Sequence, residues 1–286
     1  MSNNVKDMLR IVIDTHAFEV LTFQDKQNPY IDINYTPHKQ RIRKQHQALE
    51  KALHNPIIYK LRNETIPLPD IVFCANGGLS LPRLPGPMVL LPHMRYPHRK
   101  RELPYLIKMY KELGIPTVKY PGKESFEGQA ELKWFHGGTK AVCGYGHRST
   151  RQTYVELARF FAKIYDEPPE LLVLPIISSN YYHLDVAMLE YADSKCIVHK
   201  RAFSPASIKK LQAFLGNSCV TVIDTEDSFC LNSVVDGRRL ITHKLTDLTL
   251  KPMFEKLTGC RVVEVDTTEY ENSGGSVRCM TLDVYV

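Results

Sequence analysis

The sequence predicts an α/β fold assembled from a repeated strand–strand–helix–strand unit, and three observations carry that expectation. Short apolar strands alternate with amphipathic helices along the chain. Connections are short and no low-complexity linker divides the 286 residues, so 1–286 reads as a single domain. Polar residues that open apolar segments recur at a spacing of roughly fifty residues, the scale of repeat architectures. They are Asn76 in "FCANGG", Glu127 in "FEGQAE", His183 in "YYHLDV", Asn232 in "FCLNSV" and Cys279 in "GGSVRCMT".

Taken in order, "PHKQRIRKQHQALEKALH" (37–54) reads as a helix of the first unit. "IVFCAN" (71–76) and "PMVLLP" (87–92) read as short buried strands bounded by Pro and Gly. The helix 101–115 places Leu106, Met109, Tyr110 and Leu113 on one face, and "PTVKYP" (116–121) returns as a strand. "TKAVCGYG" (139–146), the helix 151–165 and the strand 170–177 repeat the pattern. "YYHLDVAMLEY" (181–191), "KCIVHK" (195–200), a helix 204–216 and "SCVTVID" (218–224) form the next unit, with Ser204 before Pro205 as its N-cap signal. A fourth runs through 228–243, the helix 248–259 and the strand 261–266. An alternating apolar strand follows Cys279. Repetition of this kind carries equivalent positions to one centre, where Cys279 is expected to meet Glu127, His183 and Asn76.

Composition excludes several function classes. At 43% hydrophobic and 24% charged the chain can bury a sizeable core, and a net charge of +6 is modest for its length. The densest basic run, "PHMRYPHRKRE" (92–102), with Tyr96 alone, lacks the interleaved aromatics of a single-strand platform and matches no groove-reading motif, so no nucleic-acid partner is expected. Seven scattered cysteines with no CxxC pair give neither a disulfide framework nor a metal site, and point to a reducing compartment. The opening residues show no secretory leader, and the most apolar run, "LLVLPII" (171–177), is too short to span a bilayer. A cytoplasmic protein with no membrane partner is expected, and a homo-oligomer stays open.

The marked residues resemble the signature of the guanidine-modifying superfamily, the penteins. Its catalytic segments are a Glu followed by Gly, a His-Leu-Asp strand and a C-terminal Gly-Gly-x-x-Cys-x-(Thr/Ser). "FEGQAE", "YYHLDV" and "GGSVRCMTLDV" follow that order. The arginine dihydrolase branch is the closest. "PDIVFCANGGL" is similar to its Asn-containing motif, "MRYPHRKRE" to its Phe-Arg-x-Pro-Glu-Arg segment, and "GYGHRST" to its Gly-Tyr-Gly-x-Arg-Ser. Gly77 stands where Ala is usual, Ala130-Glu131 stand where Gly-Asp is expected, and "QNPYIDIN" loosely echoes an Ile-Asn-Pro-Trp segment. The resemblance implies a five-bladed pseudo-symmetric α/β propeller of ββαβ units, with the site in its central channel.

The implied chemistry is hydrolysis of an arginine guanidinium by covalent catalysis. Cys279 is the expected nucleophile, and His183 the acid and base that serves the leaving nitrogen and the incoming water. A guanidinium offers only donors, so carboxylates should hold it: Glu127 first, with Asp185 and Glu131. Arg148 and Arg95, with Arg99 behind them, are the expected partners of the substrate carboxylate. Asn28 is carried as a further substrate contact, although Asn-Pro alone reads as a turn. Asn76 suits an enzyme that keeps citrulline and removes a second nitrogen, because an amide donates to a ureido oxygen and a carboxylate does not. The expected products are ornithine, two ammonia and carbon dioxide, from a small-molecule substrate and with no cofactor. Arginine deiminase, dimethylarginine dimethylaminohydrolase, an amidinotransferase and a non-catalytic binder remain as alternatives.

Overall fold

The computed structural model describes residues 8–18, 28–32, 34–61 and 68–286. The first residues of the stretch read for a secretory leader, and parts of "QNPYIDIN", lie outside them.

The first elements are β1 (Met8–Ile13), α1 (Lys39–Ala52) and β2 (Ile57–Tyr59). Next come β3 (Leu79–Ser80), β4 (Val89–Leu90), α2 (Pro97–Lys100), α3 (Leu103–Glu112) and β5 (Thr117–Val118). β6 (Leu132–Phe135), β7 (Lys140–Tyr145), α4 (Arg151–Ile164) and β8 (Glu170–Pro175) follow. α5 (Leu184–Ala187) leads into β9 (Met188–Ala192), β10 (Lys195–His199), α6 (Pro205–Leu215) and β11 (Val220–Ile223). The chain closes with β12 (Val234–Asp236), β13 (Arg239–His243), α7 (Leu250–Thr258), β14 (Arg261–Val265), α8 (Thr268–Glu271) and β15 (Leu282–Tyr285).

Among the described residues these strands make five three-stranded sheets, β3-β4-β5, β6-β7-β8, β9-β10-β11, β12-β13-β14 and β15-β1-β2. Each repeats one pairing: the first two strands antiparallel, the second and third parallel. A parallel pair needs a crossover, and in every sheet a helix supplies it. The fifth sheet is assembled from both termini, with Leu9 opposite Val284 and Ile11 opposite Leu282.

Five apolar clusters bind the sheets in sequence. One joins Ile11 and Val284 to Val89 and Met109, the next Leu90 to Ala141 and Phe161, the third Val142 to Val198 and Leu211. A fourth joins Ile197 to Leu240 and Phe254, and the last returns from Ile241 and Val265 to Val12 and Leu49. Each fully buried Leu, Ile, Val or Phe in them is worth roughly 1.5–3 kcal/mol.

The helices follow the sequence pattern. Leu106, Met109 and Tyr110 face inward on α3, as do Tyr154, Leu157 and Phe161 on α4. Ser204 caps α6 by accepting from the Ser207 N–H at 3.1 Å, with Pro205 in the first turn.

Two expected strands are corrected. "IVFCAN" is a tight turn running into a 3-10 helix, Cys74–Gly77, and the strand begins only at Leu79. Its residues are buried on every side, so it shows the same continuous apolar run as a core strand. "HLDV" is one helical turn, α5, with His183 as its N-cap residue, and the strand starts at Met188. In both places the backbone coils where it reaches the centre, which turns polar side chains inward.

Candidate active site

Asn76, Glu127, His183, Asn232 and Cys279 each stand at the entry to a different unit, and hydrogen bonds join them in two connected groups. Cys279 sits in a turn closed by Met280 N–H donating to Ser276 O at 3.1 Å. Its own carbonyl accepts from Ala75 N–H at 3.0 Å, which ties the turn to the Asn76 segment. The glycine pair before it has a steric reason. Gly274 takes φ +93, and a Cβ there would strike Asn28, while a Cβ on Gly275 would enter the Phe73 ring. Gly128, at φ +64 after Glu127, lies so close to the Gly78 backbone that no side chain fits.

The sulfur of Cys279 is buried. It lies 3.5 Å from Asp185 Oδ2, to which the thiol donates, and it accepts from Asn232 Nδ2 at 3.1 Å. Burial pushes the thiol pKa up, and the Asp185 carboxylate pushes it further. At rest the thiol is therefore protonated.

Glu127 is fully buried and forms the hub of the second group. Its Oε2 lies 2.8 Å from His183 Nε2, 3.3 Å from Asn76 Nδ2 and 3.4 Å from Arg148 Nη1, while Oε1 accepts from Arg95 N–H at 3.1 Å. Burial alone would raise its pKa, but Arg148, His183 and Arg99 together outweigh that and hold it well below the usual carboxylate range. His183 is pulled below its ordinary value, chiefly by burial, with the Glu127 contact opposing. A neutral imidazole beside an ionised carboxylate places its proton on Nε2, which leaves Nδ1 as the basic position.

The remaining expected residues fall into two sets. Asn28, Asn76, Arg99, Arg148, His183 and Cys279 line a single pocket that also meets Asp70, Phe73 and Tyr182. Arg148 is clamped between the rings of Tyr96 and Tyr182, at 4.7 and 4.8 Å from their centroids. Asn28 is held by Ser273 O at 3.1 Å and in turn accepts from Tyr30 N–H at 3.0 Å. The carboxylates of Glu127 and Asp185 stand one layer behind the pocket wall.

Three residues differ from expectation. Arg99 is engaged mainly by protein acceptors: two contacts to Glu102 at 2.9 and 2.8 Å, one to Asn76 Oδ1 at 3.0 Å, and others to Asp70 O and Phe73 O. Its charge is paired with Glu102 and its Nη1 orients Asn76. Arg95 is exposed, with its side chain on Arg148 O at 3.4 Å, outside the pocket lining. Glu131 does not reach the pocket either; it accepts from Glu127 N–H at 3.3 Å and Ser149 N–H at 3.0 Å. Burial, then the Glu127 carboxylate, push its pKa up to about 8, so at neutral pH it is largely an uncharged brace for the Glu127 peptide.

Sequence reasoning placed Asn232 in the repeat but gave it no chemistry. The structure puts its side chain on both the sulfur and the peptide N–H of Cys279, each at 3.1 Å. The aromatic clamp on Arg148 was also missed; only the tyrosines' proximity in "RYP" and "YYH" to marked residues hinted at it.

Comparison with known proteins gives a consistent family. The family described as N,N dimethylarginine dimethylhydrolase, eukaryotic, matches residues 11–286. An uncharacterized protein of Caenorhabditis elegans, ZK1307.1, is 27% identical over 245 residues, which cover 85% of this chain and 84% of that protein. The bifunctional arginine dihydrolase/ornithine cyclodeaminase ArgZ of Synechocystis sp. is 27% identical over 262 residues, 90% of this chain but 35% of that protein. The chain thus spans about a third of that bifunctional relative. The crystal structure of the substrate-bound N-terminal domain of ArgZ, an arginine dihydrolase of cyanobacteria, superposes with a TM-score of 0.83 at 23% identity, covering 97% of this chain and 98% of that one. That likeness establishes a shared fold.

Proposed function

The chain belongs to the N,N dimethylarginine dimethylhydrolase, eukaryotic, family within the guanidine-modifying superfamily of C–N hydrolases, and from that membership we propose that it hydrolyses free arginine to ornithine, two ammonia and carbon dioxide. We read the five sheets as the blades of a pentein propeller, closed by β15 against β1, and residues 1–286 as one hydrolase domain.

In the first half-reaction the Cys279 thiol gives up its proton and its sulfur attacks the guanidinium carbon. Nδ1 of His183 receives the proton and passes it to the departing nitrogen, which leaves as ammonia while the C–N bond breaks. A cationic substrate lowers the cost of forming the thiolate, since it brings a positive charge beside the sulfur and offsets the Asp185 carboxylate behind it. His183 then deprotonates the water that attacks the amidino carbon, the C–S bond breaks and citrulline is formed. Repetition on bound citrulline releases the second ammonia, and hydrolysis of the resulting carbamoyl thioester leaves a carbamate that loses carbon dioxide. Arg148, between its two tyrosines, is the candidate for the substrate carboxylate, with Asn28 beside it.

The observation that carries the dihydrolase reading over its relatives is the orientation of Asn76. Arg99 can only donate, so Asn76 Oδ1 must face it at 3.0 Å, which turns the amide Nδ2 toward Glu127 Oε2 at 3.3 Å. An amide donor in that place suits the neutral ureido oxygen of citrulline. The family's description favours a second reading, release of methylamines from dimethylarginine.

Product analysis by mass spectrometry after parallel incubation with arginine, citrulline and dimethylarginine separates them. The proposal expects ornithine from the first two, and Asn76→Asp should stop at citrulline. Turnover of dimethylarginine alone, or free citrulline as the end product of the unaltered enzyme, would replace the dihydrolase reading.

A further inference from the structure

Glu102 is the one acid in the basic run 92–102, and it takes no part in the wall of the Cys279 pocket. The residue is 1% exposed. It stands between α2 and α3, where its carbonyl accepts from Tyr105 N–H and Leu106 N–H, both at 3.0 Å. Leu106, Met109 and Tyr110 anchor α3 in the core, so the backbone at 102 is firmly held. A buried carboxylate needs a partner, and Arg99 fills that place.

Arg99 forks over both carboxylate oxygens, Nε to Oε1 at 2.9 Å and Nη2 to Oε2 at 2.8 Å. That two-point grip sets the plane of the guanidinium. Its other contacts fall on one short stretch of chain, the turn that carries Asn76. Nη2 also reaches Asp70 O at 3.1 Å and Phe73 O at 3.2 Å, and Nη1 reaches Asn76 Oδ1 at 3.0 Å. α3 ties the same turn a second time, through Tyr110 donating to Gly77 O at 2.9 Å. On the far side of the amide, Nδ2 donates to Glu127 Oε2 at 3.3 Å, a longer contact to an oxygen that His183 and Arg148 also use. Arg99 is thus the tighter hold on Asn76, and Glu102 aims Arg99.

Burial works against the Arg99 charge, and Glu102 outweighs it, holding the guanidinium above its ordinary value. Burial pushes the Glu102 carboxyl up to about 7, with Arg99 opposing. Well above that pH both partners are charged and the grip is complete.

We propose that Glu102 is a positioning residue that sets how far the reaction runs. Through Arg99 it holds the Asn76 amide where a bound ureido oxygen is met, so that citrulline is kept for the second hydrolysis and not released; this rests on the dihydrolase reading above. Glu102 itself touches no substrate. Glu102→Gln keeps the length of the side chain but turns an amide N–H toward one of the Arg99 donors. The fork then cannot close at both points, and Asn76 loses its tighter hold.

The test counts the products of early arginine turnover at about pH 8.5, and measures kcat/KM for arginine and for citrulline. In Glu102→Gln the ratio of free citrulline to ornithine should rise roughly tenfold or more, and kcat/KM for citrulline should fall roughly tenfold further than that for arginine. Both are comparisons within one preparation, so a smaller folded fraction moves neither. A ratio like that of the wild type, or equal losses on the two substrates, would overturn the inference and leave Glu102 a partner in folding alone. Where Glu102→Gln fails to fold, Arg99→Lys takes its place. A lysine keeps a charge for Glu102 but has no fork to span the carboxylate and Asn76 together, so it should shift the same two quantities in the same direction. Wild-type partitioning in that variant would equally overturn the inference. An unaltered enzyme that forms no ornithine from arginine refutes the dihydrolase reading and this inference with it, whereas ornithine from the wild type with unchanged partitioning in the variants refutes this inference alone.

Discussion

Asn232 grips Cys279 at two points: its amide oxygen accepts the cysteine peptide N–H at 3.1 Å, and its amide nitrogen donates to the sulfur at 3.1 Å. The first contact fixes where the sulfur stands. The second favours the thiolate, against the burial and the Asp185 carboxylate that favour the thiol. Asn232→Asp removes the donor and adds a negative charge beside the sulfur. A hydrogen bond to a charged group is worth about 1.5–3 kcal/mol, so kcat/KM for arginine should fall roughly ten- to a hundredfold, with the ascending limb of its pH profile, which follows thiol ionisation, moved to higher pH. A pH–rate profile identical to the wild type would leave the grip without a part in activation.

The thiol donates to Asp185 at 3.5 Å and is protonated at rest. Alkylation should then depend on the charge of the reagent. A cationic haloacetamidine, which the Asp185 and Glu127 carboxylates attract, is expected to inactivate at least tenfold faster than a neutral haloacetamide of the same size. Asp185→Asn should narrow that gap. Equal rates with the two reagents would contradict substrate-assisted activation.

Glu127 and Glu131 are four residues apart and electrostatically opposite. Glu127 is ionised against Arg148 and His183, and Glu131 is pushed up to about 8 by burial and its acidic neighbour. Glu127→Gln strips a buried charge from its partners, so arginine turnover should drop by roughly 10²- to 10³-fold. Glu131→Gln keeps an uncharged acceptor of the same shape and should stay within about threefold of the wild type. Steady-state kinetics on the two variants, with circular dichroism as a folding control, separates the roles; a large loss in Glu131→Gln would return it to the substrate-binding set.

Away from the site, His243 lies between Asp227 at 2.7 Å and Glu271 at 3.2 Å. Burial alone would lower its pKa, but the contacts to Asp227 and Glu271 prevail and raise it to about 9. The folded value exceeds the unfolded value of about 6.5, so the stabilisation is full below the latter and is lost as pH rises through the former. That difference corresponds to something on the order of 3 kcal/mol. Urea unfolding of the wild type and His243→Gln should give curves far apart at pH 6 that approach each other by pH 9.5. A constant separation would exclude proton linkage at His243.

The sequence was most informative where periodicity is strong. Helices such as 151–165 and 204–216 were found within two residues because apolar spacing and caps mark them. It misled at 71–76, where total burial hides the difference between a coiled turn and a strand. β1 went unread because its antiparallel partner, β15, lies at the other end of the chain. At the site, residue type suggested Cys279, His183 and Glu127, but spacing alone has no access to which donor meets which acceptor. Arg99 appeared to be a ligand cation until Glu102, three residues on, was seen to occupy it. Asn232 was marked by recurrence, and only the fold brings it to the sulfur of a residue 47 positions away.

The central claim is that the sulfur of residue 279 bonds covalently to the substrate carbon. Acid-quenching the enzyme during arginine turnover, followed by mass mapping of its peptides, tests this directly. The account predicts an amidino-type adduct on the peptide bearing Cys279, absent from Cys279→Ala. Turnover that proceeds with Cys279→Ala, or an adduct that maps to another cysteine, would contradict it.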